Sequence, residues 1–213
     1  LSVKNVVSDP AGPHGGQNPP PNAGSDFEPP IAPGLPAPPP VGLIVRKDAQ
    51  GHWMDDNGGD WTDLVSGPGA ALANRPVGWD VVDNDVAVID ATTLGVSYVE
   101  RLMNICMALG VNPASGRVAL VGTDATNEVR FEPNLKGVFL RVNVALVDLA
   151  GAVAPSIVDL NPHLDYQSAT VPQAERDLSI GDPRGIAWSA DGSRGYVAGL
   201  GSNNVICLLY TSP

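Results

Sequence analysis

The stretch Gly181-Asp-Pro-Arg-Gly-Ile-Ala-Trp-Ser-Ala-Asp-Gly-Ser-Arg-Gly-Tyr-Val-Ala-Gly-Leu-Gly-Ser-Asn-Asn-Val-Ile206 decides the fold. It divides into an apolar run ending at Trp188, a turn over 189–193, a second run over 194–199, a polar turn, and a third run opening at Asn203. Asp191-Gly192 suits a tight turn, because Gly tolerates positive φ and Asp bonds the backbone just beyond it. Three short strands joined by two such turns form an antiparallel meander.

The plan recurs upstream. Asn84-Asp-Val-Ala-Val-Ile-Asp90, Asn127-Glu-Val-Arg-Phe131 and Asn203-Asn-Val-Ile206 share Asn-x-Val, and the first two asparagines stand 43 residues apart. That interval is the length of one four-stranded blade of a β-propeller. The next interval is 76 residues, yet Gly110-Val-Asn-Pro-Ala-Ser-Gly-Arg-Val-Ala-Leu-Val-Gly122 still aligns with 187–199 at an offset of 77. The alignment places the extra length in an insertion over 149–183, after a last strand at 138–148. It also predicts a fourth strand near 96–102 and a first strand near 105–111. Val96, Val99, Leu102, Met103, Cys106 and Leu109 recur at helical spacing, but a register shared by three copies outweighs a single window.

Composition agrees with an all-β chain. Gly and Pro, 24 and 21 of 213 residues, supply many turns, and aromatics are few. A formal charge of −11 repels phosphate backbones and argues against nucleic acid or an anionic membrane as partner. No run reaches the roughly 18 apolar residues that a membrane span needs. Of the 21 prolines, 12 fall within 8–41, where missing donors and fixed φ exclude a sheet and predict extended or irregular chain. This stretch is a linker or a long inter-strand loop, and residues 1–7 have the look of a strand that precedes it. From 42 onward the pattern is a hairpin meander with Asn57-Gly58 as a turn. A loop follows over 62–83, with a helical turn at 70–73.

The residues offer few sites for chemistry. Asp55, Asn57 and Asp60 beside Gly58-Gly59 hint at a calcium loop but lack its full ligand spacing, so a solvated hairpin turn is expected and any metal site stays unknown. His14, His52 and His163 are the imidazoles. His163 lies near Asp165 and Tyr166, half of an acid/base pair or a loop hydrogen bond, and with no nucleophile elbow or His-Glu-x-x-His the loop is favoured. Cys106 among Ile105, Met107 and Leu109 is expected to be an inert buried thiol. No catalytic or cofactor-binding residue is assigned.

Residues 182–197, 202–205 and 84–94 resemble the YVTN-type β-propeller repeat of exported bacterial proteins, with Ala190 and Ala198-Gly199 as departures from its usual Pro and Thr-Asn. The resemblance covers about 84–131 and 182–206, and implies a partial β-propeller of about two blades and an incomplete third, after a proline-rich irregular segment over 1–41. It implies that the repeat residues are structural, with Asp191-Gly192 turning, Tyr196 and Val197 packing between blades, and the Asn of the third strand tying a loop. It further implies a periplasmic, cell-surface or secreted scaffold that binds a protein or a polysaccharide. Glu128-Val-Arg-Phe-Glu-Pro-Asn134 and Trp53-Met-Asp-Asp-Asn-Gly-Gly-Asp-Trp61 are also similar to propellers fused to di-haem, peroxidase-like cytochrome c modules. On that alternative a haem c domain would follow, since this stretch carries no haem-attachment motif. Finally, Cys207-Leu-Leu-Tyr-Thr-Ser-Pro213 resembles the translation of a transposase sequencing adapter. That predicts a non-native tail over 207–213, a native propeller region of 42–206 ending at Ile206, and a chain that is part of a longer reading frame.

Overall fold

The computed structural model describes residues 2–3, 43–55, 58–73, 75–125, 140–151, 153–166, 168 and 170–210. The proline-rich segment, His14, Asn57 and the Asn127 copy of the repeat lie outside the described residues. The chain is mostly β and forms two compact units: one holds the described residues up to Asp83 with Tyr166, Ser168 and Thr170, the other those of Asn84–Ala125, Leu140–Asp165 and 171–210.

In the first unit β1 (Ser2–Val3) pairs antiparallel with β2 (Leu43–Ile44), so the proline-rich stretch connects two paired strands. A hairpin follows, in which β3 (Arg46–Lys47) pairs with β4 (Trp53–Met54). Its turn is held by Asp48 Oδ1, which accepts the Gln50 and His52 amides at 2.9 and 2.8 Å, while Gly51 takes φ +89°. A 3-10 helix over Pro68–Ala73 holds the helical turn expected at 70–73, and a short helix α1 (Thr62–Val65) stands where only loop was expected. The last carbonyls of so short a helix need outside donors, and Arg75 supplies them to Leu64 and Val65 at 2.5 and 3.2 Å. Val45, Trp53, Trp61 and Val65 form this unit's core.

The second unit carries the repeated architecture. The hairpin β5 (Val86–Ile89) and β6 (Val96–Val99) is followed by β7 (Ile105–Val111), β8 (Val118–Ala125), β9 (Leu140–Val147) and β10 (Ser156–Asp159). The last four form one antiparallel sheet in the order β10-β9-β8-β7, a four-stranded blade-like meander. After a short helix α2 (Gln173–Asp177), β11 (Pro183–Trp188), β12 (Arg194–Gly199) and β13 (Asn204–Leu209) form a second meander. The helical spacing over 96–109 is thus spread across two strands and a bend. Leu102 and Met103 are buried within that bend, at Arg101 with φ +62°, and their burial created the false period.

Three sheets stack face to face. On β8, Val118 and Leu120 point to one side with Ala145 and Val147 of β9, against Val86, Val88 and Val99 of the hairpin. Ala119 and Val121 point to the other side with Val142 and Val144, against Val197, Ile186, Ile206 and Leu208. A strand buried on both faces reads as a continuous apolar run rather than an alternating one, which explains Val118-Ala-Leu-Val121. The leading strands β7 and β11 approach closely: a Cβ on Gly110 would lie 3.0 Å from the Ile186 carbonyl oxygen.

Two strands run beyond the bounds that the repeat suggested. The strand that follows β8 in the complete sheet is β9, joined to it by an unbroken ladder from Val118↔Val147 to Ala125↔Leu140, while the Asn127 segment lies outside the described residues. The fourth strand, β10, pairs with β9 inside the stretch read as an insertion after the last strand. The real repeat is Val144-Ala-Leu-Val-Asp148 against Val86-Ala-Val-Ile-Asp90, an offset of 58, followed by Ser156-Ile-Val-Asp159 against Ser97-Tyr-Val-Glu100. The other is β13, which passes Ile206 and pairs through Tyr196↔Cys207 to Arg194↔Leu209. Ile206 and Leu208 face inward and Val205, Cys207 and Leu209 outward, an alternation that any open sheet edge accepts whatever its origin.

Truncation of the double-faced strand should separate buried from exposed apolar positions. Leu120→Ala, at a side chain 2% exposed, is expected to cost about 2–5 kcal/mol in urea denaturation. Leu109→Ala, at 58% exposure, should stay within about 0.5 kcal/mol of the parent.

Candidate functional site

The polar side chains that look most functional lie in the turns, and most of their hydrogen-bonding capacity is spent there. Asn112, buried after β7, accepts the Ala114 and Ser115 amides on Oδ1 at 2.9 and 3.1 Å and donates Nδ2–H to the Gly192 carbonyl at 2.8 Å. One side chain therefore closes its own turn and holds the corresponding turn of the next sheet, 80 residues on. Gly192 has φ +70°, and a Cβ there would collide with Asn112 Oδ1. Its glycine is required by backbone geometry and by this close approach together. Beside it, Asp191 Oδ1 accepts the Ser189 hydroxyl at 2.6 Å and the Ser193 amide and hydroxyl at 3.0 and 2.9 Å. These bonds, the Ser189 hydroxyl foremost, pull the carboxyl down to about 2.

A second group of bonds surrounds the entry to β11. Asn161 brackets Ile180, accepting its N–H at 2.8 Å and donating to its C=O at 2.9 Å. The loop tie expected of Asn203, the Asn of the Asn-x-Val pattern, is made instead by Asn204, which donates to the Ser179 carbonyl at 3.0 Å, while Asn203 takes φ +52° in the turn; Ser202 Oγ accepts the Gly181 amide at 2.9 Å. Here His163 meets a partner that sequence proximity did not suggest. Its Nε2 lies 3.0 Å from Ser179 Oγ and 3.1 Å from the Glu175 carbonyl. A Ser–His contact is the start of a nucleophile–base pair. A carbonyl has no proton to give, so Nε2 bonds Glu175 only in the tautomer that carries its hydrogen there, and in that tautomer it takes none from Ser179. Ser179 Oγ itself donates to the same carbonyl at 2.8 Å. In that tautomer the trio fastens the last turn of α2.

The other candidates serve hairpins in the same way. Asp55 is buried rather than solvated, and accepts the Gly59 amide at 2.7 Å and the Trp61 indole N–H at 2.6 Å. Asp60 accepts the hydroxyl and amide of Thr62 at 2.5 and 2.9 Å, bonds that hold its carboxyl below the usual range. The two carboxylates thus close neighbouring turns, and among the described residues no three His, Cys, Asp or Glu side chains gather as metal ligands. His52 stands exposed with Nδ1 3.5 Å from Asp48. Cys106 is half-buried rather than buried, with Sγ 3.5 Å from Asp85 Oδ1, while Asp85 Oδ2 accepts the Leu102 amide at 2.8 Å. Among the described residues no helix is long and apolar enough to cross a membrane.

Comparison with known proteins adds little. No family model matches the chain, and no curated protein matches it. Among solved structures, Kuenenia stuttgartiensis hydrazine synthase aligns at 18% identity with a TM-score of 0.40, over 57% of this chain. The aligned part spans 31% of the hydrazine synthase chain. A score at that level assigns no chemistry.

Two measurements check these assignments. Carboxyl NMR should place the Asp191 titration at about 2, and Ser189→Ala should move it back toward 3.8. The folded-state value is the depressed one, so the stabilisation is complete above 3.8 and disappears as pH falls through about 2. A fluorophosphonate probe, which labels activated serines, should leave Ser179 unmodified at neutral pH; labelling that His163→Ala abolishes would restore the catalytic interpretation.

Proposed function

We propose that the chain contributes blades to an extracytoplasmic β-propeller of the YVTN-repeat type, acting as a non-catalytic scaffold that binds a protein partner. The observation that carries this reading is the stack of antiparallel sheets with apolar layers on both faces of the central one, whose leading strands converge at Gly110 and Ile186. Sheets that close up along their leading strands are arranged as blades about an axis. The occupation of Asn112, Asn161, His163 and Asp191 by structural bonds supports a scaffold over an enzyme.

The binding surface in this reading is α2 and its C-terminus. Leu178 is a large apolar side chain left exposed, beside the charged Glu175, Arg176 and Asp177. An apolar anchor within a polar rim is the composition of a protein–protein contact. A photo-crosslinking residue at 178, expressed in the organism that encodes the chain, is expected to give one discrete protein adduct, whereas the same residue at the exposed turn position 115 gives none. No adduct at 178, or equal labelling at both positions, would overturn the assignment of this surface.

A further inference from the structure

The outer strand of the complete sheet presents an open edge. β10 (Ser156–Asp159) pairs with β9 on one side and with no strand among the described residues on the other. The Leu160 amide bonds the Val142 carbonyl at 2.7 Å, which sets the alternation of an antiparallel ladder. Ser156 and Val158 therefore spend their backbone groups on β9, and Ile157, opposite Ala145, turns its N–H and C=O outward. Among the described residues nothing bonds those two groups. The Ile157 and Val158 side chains, on opposite faces of the strand, are 45% and 49% exposed. Native sheets blunt such an edge with a Lys, an internal Pro, a bulge or a covering helix. β10 carries none of the first three: Pro155 stops one residue short of it, and its register runs unbroken from Ser156 to Asp159. The opposite edge of the same sheet is treated differently, for β7 has a bulge between Cys106 and Ala108 and lies against β11 at Gly110. Charge around β10 has one sign. From 142 to 175 the chain holds Asp148, Asp159, Asp165 and Glu175 and has no Lys or Arg.

We propose that the β10 edge takes an extended segment of a protein partner as an added strand, a segment that carries Lys or Arg among β-branched residues and lacks Asp and Glu. Main-chain bonds to Ile157 anchor the added strand, and the exposed Ile157 and Val158 side chains give it apolar contact on both faces. Charge decides against a second copy of this chain as the occupant. β10 paired with its own counterpart would bring two acidic segments together, on chains that each carry −11. A basic segment meets the opposite field, so its binding weakens as salt rises. The edge lies inside the sequence, with strands before and after it, and stacking sheets face to face covers faces and not this edge. A strand of four residues offers few bonds, which puts the affinity in the weak range, Kd about 10 µM to 1 mM. The proposal goes beyond the α2 surface and does not depend on it.

The probe is a fluorescein-labelled heptapeptide alternating Val and Lys, titrated against the 213-residue chain by fluorescence polarisation at low salt, under reducing conditions so that exposed Cys207 cannot cross-link. It should bind with Kd below about 1 mM, and a peptide with Glu in place of Lys should bind at least about tenfold more weakly. Hydrogen exchange followed by NMR should find the Ile157 amide fast in the free chain and slowed about tenfold or more at saturating peptide, while Val158, already bonded to β9, is slow in both. Ile157→Pro removes the outward N–H without removing a bond to β9, and should weaken binding about tenfold or more. Should the ring distort the strand, Ile157→Lys keeps the backbone and places a repelling charge on the edge, with the same expected loss. No binding up to about 1 mM peptide, equal binding of the Glu peptide, or an Ile157 amide whose exchange the peptide leaves unchanged would each overturn the proposal. A parent chain that sediments as a dimer without peptide, and as a monomer after Ile157→Lys, would place a second copy on the edge and overturn it as well. The adduct at 178 and the exchange at 157 read separate surfaces, so the failure of one leaves the other standing.

Discussion

Everything else in the second unit depends on one constraint: the sheet β7–β10 must bury both faces at once. A central strand with no polar face cannot rest against solvent on either side, so it needs a sheet before it and a sheet after it. The hairpin β5–β6 and the meander β11–β13 meet that need.

Small residues set how closely the layers approach. Gly110 lets β7 lie against the Ile186 carbonyl, and a Cβ on Gly199 would lie 2.6 Å from Ile180 and 2.5 Å from the Ser202 hydroxyl. The connection between the two meanders is folded into this packing through Ile180, which is buried in the same apolar layer as Val121 and Val197. Asn161 fixes both peptide groups of Ile180, and Asn112 fixes Gly192. Buried polar groups of this kind must be paired, and pairing them across elements gives the layers one defined offset. The side chains that would otherwise attract a catalytic interpretation are the ones that set this geometry.

Much of the strand plan was legible from residues. Asp191-Gly192 turned where expected, and β7 and β6 formed where the repeat placed them despite an opposing helical period, because repeat register reflects packing while a single window also counts residues buried in a bend. The strand that follows β8 was not read from the repeat. Asn127-Glu-Val matches a three-residue pattern, but Val144-Ala-Leu-Val-Asp148 matches β5 and its turn over five, down to an Asp that accepts an amide two residues on, as Asp90 does for Thr92 and Asp148 for Ala150. The longer match was the better guide, and the fixed 43-residue interval hid it.

The sequence by itself determined the short strands, their turns and the apolar character of both faces of β8, because turn chemistry and hydrophobic patterning are local. It did not determine which run would pair with β8, that His163 would meet Ser179, or that Asn112 would reach Gly192. Those contacts join residues 16 to 80 positions apart, and only the closing of one sheet onto another brings their polar atoms within bonding distance.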